Sequence, residues 1–521
     1  ALTVAVGMVA GYLVSMTVTP VACRYFLGHG EPGRLARVVE GWIARVADTY
    51  ARALRAVIGH RAVLLGSIFA LVAASALAAT RLPSTFFPEI DESMERVYVR
   101  LSPGTSLADA SKQINAMGKT LFAEMPPGNV ELVLTNVGSP SNARSAMNSP
   151  NNGPHMGFIR VALTEPEKRT LSQREIADKM REILTRGYPG VQFLQWPGGL
   201  VASVFSNGYL APLIVELRGD NLAVLDQQAK AVAEVARSVP GVRDIFPSLE
   251  TDYPEIRVET DREEASMVGV TLRGAAQTTL ESTLGNINTP AVWIDGRNGQ
   301  SYYVVTSYDG KAVADPNALA QIPVRTTDAG TAVTLGAYGT VRRSAGAVAI
   351  ERNQLQRAAH VMMQTEGRDI GSAAAELEQK LRSDPRTRDV KFDFVGQVDL
   401  MRTTFSGLGV AVGLAIMVVF MIMATQFKSL RLPFVMLFTI PASLVGIVLA
   451  LMAAGQGFSI TALMGVLMVI GIAVSNGILL VDDANRRFSE GLDKVESVAQ
   501  AARARFIPIA MTSLATIIGL I

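Results

Sequence analysis

Two polar side chains, Ser475 and Asn476, sit in the middle of an apolar stretch that runs from Phe458 to Val481. Polar or ionisable groups are costly inside a bilayer and are usually retained there for function, such as passing a proton. An Asn in that setting has an alternative use of equal weight, a hydrogen bond between helices. Asp482 and Asp483 follow directly. A solvated position at a helix end is the simpler expectation for them than proton uptake. The other chemistries leave no mark. The four histidines, His29, His60, His155 and His360, have neither His nor carboxylate partners at metal-ligand spacing on a helix face. No Walker A loop and no Gly-x-Ser-x-Gly elbow is present, so no catalytic residue, cofactor or ATP site is expected. A transporter built this way needs another energy source, such as an ion gradient. One cysteine in 521 residues excludes an internal disulfide framework and a cysteine-based zinc site.

The elements that must position these residues follow from hydropathy. The chain has 48 Lys and Arg against 46 Asp and Glu, a net charge of +2, so no nucleic-acid partner is expected. Charged residues make up 18%, below the roughly 25% of soluble domains, and the mean hydropathy is +0.28. Nearly uncharged runs occupy Ala1 to Cys23, Val63 to Thr80, Phe405 to Phe427, Leu432 to Ala454, Phe458 to Val481 and Phe506 to Ile521. Complete runs of about 18 to 24 residues suffice to cross a bilayer as helices. The chain lacks an initiator Met, starts in one apolar run and stops in another. It is therefore expected to be part of a longer protein. Arginines crowd the segment Arg24 to Arg61, and Lys428 and Arg431 stand in a short loop without acids. The positive-inside rule makes both cytoplasmic and puts residues between Arg81 and about Arg402 on the opposite face. Within the first loop Leu35, Val38, Val39, Trp42, Ile43, Val46, Leu54 and Val57 recur at helical spacing. An amphipathic helix lying on the membrane surface, packed on the spans, or both, is expected.

The extramembrane block reads as a duplication. Strands are expected at Met94 to Leu101, Val130 to Val137, Phe158 to Leu163 and Val191 to Trp196. Helices are expected at Ser106 to Glu124 and Ser172 to Arg186, giving the order βαββαβ of a ferredoxin-like split unit. The pattern recurs over Leu213 to Leu217, Leu222 to Ser238, Val242 to Phe246 and Glu255 to Val258. A further helix starts at Asp261. It then resumes with strands at Val348 to Ile350, His360 to Met363 and Val390 to Phe394 and a helix at Gly371 to Leu381. A segment rich in Thr, Gly, Asn and Tyr, Thr271 to Ala345, interrupts it. Parallel strands joined by helices are the expectation, with the two units packed together.

Several stretches resemble the resistance-nodulation-division (RND) efflux pump permeases. They are Leu82-Pro83-Ser84-Thr85-Phe86-Phe87-Pro88-Glu89-Ile90-Asp91, the strand Val191 to Pro197, and the turn Phe427-Lys428-Ser429-Leu430-Arg431-Leu432-Pro433. The others are Gly471 to Asp482 and Arg505-Phe506-Ile507-Pro508-Ile509-Ala510-Met511-Thr512. The resemblance covers the whole chain and implies the C-terminal half of such a permease, in its hydrophobe/amphiphile branch. The implied fold is a polytopic α-helical membrane protein with a large periplasmic α+β region of ferredoxin-like porter subdomains and a docking insertion. Residues 1–26 become the family's sixth transmembrane helix, 27–61 a cytoplasmic amphipathic linker and 62–80 the seventh helix. Residues 81–205 become the first porter subdomain. Residues 206–270 and 346–402 become the second, with the docking insertion at 271–345 between them. Residues 403–427, 432–454, 458–482 and 505–521 become helices eight to eleven, the last truncated. The implied protein is not an enzyme but a bacterial inner-membrane, homotrimeric proton antiporter. Its implied partners are small amphiphilic substrates, protons, the bilayer, a periplasmic adaptor and an outer-membrane channel.

The resemblance also assigns residues. Family drug pumps carry a Lys at the position of Ser475, paired with two Asp in their other half; Ser carries no charge near neutral pH. A proton relay is expected from Ser475, Asn476, Arg505 and Thr512, with Arg505 as counter-charge. For Arg505 lipid contact and for Thr512 a bond to its own helix remain open. Gly138 to Gly157 matches the family's switch loop, without its phenylalanines. The expected substrate path therefore uses Met147, Leu194 and Trp196, with core packing the other reading of Trp196. A heavy-metal permease is the alternative, which needs a methionine cluster from Met94, Met147 and Met156; Tyr98 stands where that branch would carry Met. A gradient-driven protein-export motor and a non-transporting relative of the same fold are further alternatives.

Overall fold

Apolar runs without charge become helices because only a helix satisfies its own backbone in lipid. The computed structural model describes residues 2–26, 34–86, 91–140, 151–198, 204, 206, 208–286, 290–313 and 315–520. Three helices open the chain, α1 (Leu2–Phe26), α2 (Arg34–Gly59) and α3 (Arg61–Ala79). Of these α2 is the amphipathic one. It lies along a helix from the far end of the chain, described below.

The first sheet-bearing region starts with β1 (Met94–Arg100) and α4 (Leu107–Glu124), followed by β2 (Val130–Val137) and β3 (Met156–Leu163). It closes with α5 (Gln173–Gly187) and β4 (Gln192–Pro197). Both helices start on serines. Ser106 accepts from the Asp109 amide, and Ser172 with Glu175 completes a capping box. The sheet order is β2-β3-β1-β4, and every pairing is antiparallel. The expected parallel strands are therefore corrected. A βαβ unit whose helix crosses past one strand position leaves room for a returning strand between, and neighbours then run opposite ways. Alternation in β1 points Val97 and Val99 toward α4 and α5, where they pack with Ile114, Met117, Leu121, Ile176, Met180 and Leu184.

The second region holds β5 (Leu213–Arg218), α6 (Leu222–Arg237), β6 (Val242–Pro247) and β7 (Tyr253–Thr260). Then come two helices, α7 (Arg262–Met267) and α8 (Leu272–Leu284), and a hairpin of β8 (Ala291–Ile294) and β9 (Ser301–Val304). The segment continues through α9 (Pro316–Ala320), β10 (Pro323–Thr326), β11 (Ala332–Thr334) and β12 (Gly339–Gly346). The main sheet resumes with β13 (Glu351–Asn353), β14 (Gln356–Thr365), α10 (Ile370–Ser383) and β15 (Phe392–Val395). Its order is β13-β14-β5-β15, with β6 also on β14, again antiparallel. Two strand expectations are corrected here. β7 does not join this sheet; it pairs along its length with β12, Val258 opposite Val341, as a two-stranded ribbon. Val348 to Ile350 is not a strand, and the chain turns into β13 just after it. Helices α6 and α10 cover one face through Leu225, Val232, Ala236, Ala374, Leu377 and Leu381.

The chain ends in α11 (Gln397–Phe427), α12 (Arg431–Leu437), α13 (Thr439–Ala453), α14 (Ile460–Ser489) and α15 (Lys494–Leu520). Among the described residues six helical stretches are long and apolar enough to cross a membrane: Val6–Tyr25, Ala62–Ala79, Gln397–Phe427, Arg431–Ala453, Ile460–Ser489 and Lys494–Gly519. By internal contacts the chain divides into two units. One comprises Ala1–Thr80, Val412–Ala450 and Gly465–Ile521, the other Arg81–Ala411 and Leu451–Met464. In the helical unit α2 is tied to α15. Arg55 grips Glu496 with two hydrogen bonds of 3.0 and 2.8 Å, Arg503 pairs with Asp48 at 2.5 Å, and Tyr50 meets Phe506. Leu377 is wholly buried between α10 and the second sheet. Leu377→Ala should cost about 3 kcal/mol through the cavity it leaves. A lowered thermal unfolding temperature of the complete permease checks this, and an unchanged one would place Leu377 outside the core.

Candidate functional site

The four residues expected to form a proton relay lie on α14 and α15. Val474 packs with Ile470, Val466, Met423, Met436 and Ile440, which turns Asn476 half toward the interior and leaves Ser475 exposed. Arg505 is half-buried, with its Nη2 at 3.8 Å from Asp483 Oδ1. Asp483 is 2% exposed and also takes Arg486 at 2.5 Å and Arg487 at 3.0 Å. The expectation of a solvated Asp483 is thus corrected. It faces inward one residue after the exposed Asp482, and three arginines converge on it. Thr512 donates to its own helix, to the carbonyls of Pro508 at 3.1 Å and Ile509 at 3.0 Å. Among the described residues no hydrogen bond joins Ser475, Asn476, Arg505 and Thr512 to one another.

In the sheet-bearing unit Leu194 and Trp196 point the same way from β4, because residues two apart share a strand face. That face is opposite α4 and α5. It carries Tyr98 and Phe158 as well and packs on Ile214, Phe246 and Met362 of the second sheet. Leu194 and Trp196 are 0% and 4% exposed. The structure therefore brings these two expected path residues together, inside a junction between the sheets. Met147 lies outside the described residues. Met156 packs at the edge of the same cluster, whereas Met94 does not. Arg100 closes one margin. Its guanidinium lies 4.1 Å over the Phe246 ring and donates to the Pro247 carbonyl at 2.9 Å.

Two histidines have carboxylate partners that spacing along the chain concealed. His155 Nε2 lies 2.9 Å from Glu250 Oε2, with the ring against Tyr253. His360, on β14, has a carboxylate at each nitrogen: Glu351 Oε2 at 2.6 Å from Nδ1 and Glu216 Oε2 at 2.9 Å from Nε2. Arg218 Nε and Asn353 Nδ2 also donate to Glu216. Burial lowers the His360 pKa, but bonds and charge from Glu351 and then Glu216 outweigh it, so the pKa is raised. Burial raises that of Glu216, and its donors Asn353, Arg218 and His360 reverse this to a net lowering. Helical spacing reveals neither pair, because His360 stands on β14 and His155 in the turn before β3. The carboxylates lie at opposite ring nitrogens and clamp the imidazole between them. Among the described residues no group of three or more His, Cys, Asp or Glu side chains is placed to hold a metal ion.

The profile of the AcrB/AcrD/AcrF family matches residues 1–521. The chain belongs to this family of RND permeases. Similar proteins include the cobalt-zinc-cadmium resistance protein CzcA of Cupriavidus metallidurans, 24% identical over 534 residues, covering all of this chain and 48% of that protein. The multidrug resistance protein MdtC of Serratia proteamaculans is 24% identical over 528 residues, covering all of this chain and 49% of MdtC. A crystal structure of a heavy metal efflux pump shares the fold, with a TM-score of 0.74 at 23% identity over 91% of this chain and 47% of that one. The chain thus spans about half the length of the curated relatives it matches. In this RND chain the raised His360 pKa gives a stabilisation fully present below the unfolded value of about 6.5 and lost as pH rises through the folded value. His360→Gln should therefore destabilise the permease more at about pH 6 than at about pH 9. Thermal unfolding across that range checks it; an equal loss at both would exclude the charged clamp.

Proposed function

We propose that this RND chain forms part of an inner-membrane, proton-driven permease that exports organic amphiphiles. The sheet junction carries the reading. Tyr98, Phe158, Leu194, Trp196, Phe246 and Met362 form an apolar, largely aromatic cluster between two separately cored layers. Separating the layers would expose a surface suited to a ligand with an apolar body, and Arg100 at its margin would suit polar or anionic head groups. The order β2-β3-β1-β4, with two helices on one face, supports reading residues 81–205 as a ferredoxin-like porter subdomain. The β7–β12 ribbon leading to the exposed β8–β9 hairpin supports a docking insertion within residues 271–345. Six apolar helices support a membrane span on either side of a periplasmic region. Trimeric assembly, an adaptor and an outer-membrane channel come to this chain by family membership.

Proton coupling would use the polar groups of α14 and α15. Ser475 carries no charge, so the proposed counter-charge is Arg505, which faces buried Asp483. A heavy-metal substrate is the second reading, supported by the names of CzcA and of the heavy metal efflux pump. Expression of the complete gene in a pump-deficient host separates the two. Resistance to dyes, detergents and drugs supports the first; resistance only to cobalt, zinc, cadmium or copper overturns it.

Two substitutions refine the proposal in the same host. Asn476→Leu should lower resistance severalfold at unchanged expression, and full resistance would remove Asn476 from coupling. Trp196→Ala should change the ranking of exported compounds. An unaltered panel of inhibitory concentrations would leave Trp196 with a packing role alone.

A further inference from the structure

Glu95 points from β1 into the first layer, and neither the junction nor the proposed relay uses it. Its side chain is wholly buried. Oε1 accepts from Gln173 Nε2 at 2.8 Å, whereas Oε2 has no hydrogen-bond partner among the described residues. The neighbouring Gln195 spends its Nε2 on the Ala177 carbonyl at 2.9 Å, and its Oε1 is likewise unpartnered. The second Nε2 hydrogen of Gln195 is close enough to favour the ionised form, but it makes no full bond to Oε2; a proton on Glu95 would supply the donor that the two unpartnered oxygens lack. Burial is the main reason its pKa is pushed up to about 8, against Gln173, Gln195 and Arg181, with Asp178 adding to the rise. The charged groups facing it, Asp178 and Arg181, both come from α5. Its register partners Val161 on β3 and Pro197 on β4 are uncharged.

The same Arg181 crosses to the second sheet. Its Nε and Nη2 each donate at 3.2 Å to the carboxylate of Asp244. Asp244 occupies the stretch where pairing of β6 with β14 shifts register, and it takes a left-handed φ of 50°. Irregular pairing of this kind re-aims a side chain, here toward the first layer, where the Gln195 amide also donates to it at 3.2 Å. A cavity of about 210 Å³ opens among Arg181, Gln195, Asp244, Val97, Tyr188 and Phe193. We propose that Glu95 is a proton-binding site, reached through this cavity, whose occupancy sets how firmly Arg181 clasps Asp244 and so how tightly the two sheets are joined. With the proton bound, Arg181 is shared between Asp178 of its own helix at 3.2 Å and, on the second sheet, Asp244 at 3.2 Å and Glu366 at 3.8 Å. With the proton gone, Glu95 adds a further anion to Asp178 on the first-layer side, draws Arg181 away from Asp244 and Glu366, and the clasp loosens.

The consequence for export rests on reading the junction as the substrate path; the clasp does not. The test uses the complete permease in lipid nanodiscs, with its native cysteines replaced. Spin labels go on Lys112→Cys in α4 and Gln227→Cys in α6, both exposed positions. Distances are measured at about pH 6 and about pH 9.5, either side of the Glu95 value of about 8. The otherwise unsubstituted protein should show a longer or broader separation at the higher pH. Glu95→Gln, which keeps the shape and removes the titration, should hold the acid distribution at both. Arg181→Gln should show the loosened distribution at both. The proposal is overturned by an equal pH response with and without Glu95→Gln, or by none in either. If the distances behave as stated while Glu95→Gln leaves the resistance profile intact, the clasp stands and the junction is not the path.

Discussion

The sheet-bearing unit depends on one constraint: an antiparallel sheet has two faces, and its own helices cover only one. In each region the covered face builds a separate core, around Val97, Ile114 and Met180 in the first and Val215, Val232 and Leu377 in the second. What remains is one apolar face per sheet. Those faces bury each other, with Trp196 and Leu194 against Ile214, Phe246 and Met362. Burial of this kind is non-directional and scales with area. It therefore resists separation without dictating a single register. Direction comes from the polar ties at the margin, Arg181 to Asp244 and Arg100 to the Pro247 carbonyl. The junction thus combines non-directional apolar burial with a few aimed polar ties that fix its register.

Buried ionisable groups gather around this junction. Glu95 lies behind it, His360 and Glu216 lie on the second sheet, and His155 with Glu250 lies near the start of β3. Removing one member of a buried pair leaves an uncompensated charge, which costs far more than the pair itself contributes. The groups are therefore poor sources of stability and strong determinants of which arrangement persists at a given protonation. His360 and Glu95 respond to pH in one sense. Each has a raised pKa in the folded protein, so each holds its proton to higher pH than in the unfolded chain.

The helical unit uses charge differently. Asp483 draws Arg486 and Arg487 from its own helix and Arg505 from α15, where a lone buried carboxylate would be costly. Opposite-charge pairs also fasten α2 to α15, while much of α1 and α3 leaves Val, Leu and Phe side chains uncovered. Such faces suit lipid or further helices, in keeping with a chain that spans about half the length of its curated relatives.

Much of this was legible along the chain. Long uncharged runs, capping serines at 106 and 172, and period-two alternation in β1 act locally. Each follows from a few neighbouring residues and the backbone's need to satisfy its own hydrogen bonds. Strand direction was not legible, since the same βαββαβ string reads as parallel until the returning strand is seen to insert between its neighbours. Nor was the pairing of β7 with β12 across an intervening segment, or the burial of Trp196, whose face was evident but not what covers it. Glu216 meets His360 and Asp244 meets Arg181 across long stretches of chain, and Glu351 reaches His360 because β13 and β14 pair as a hairpin. Strand pairing and sheet packing make these contacts, and the pattern of single segments does not encode them. The sequence by itself determined the elements, their faces and the membrane-like helices, because those depend on periodicity and hydropathy. Only the tertiary structure decided which faces meet and which charged groups lie together, because those depend on distance in space.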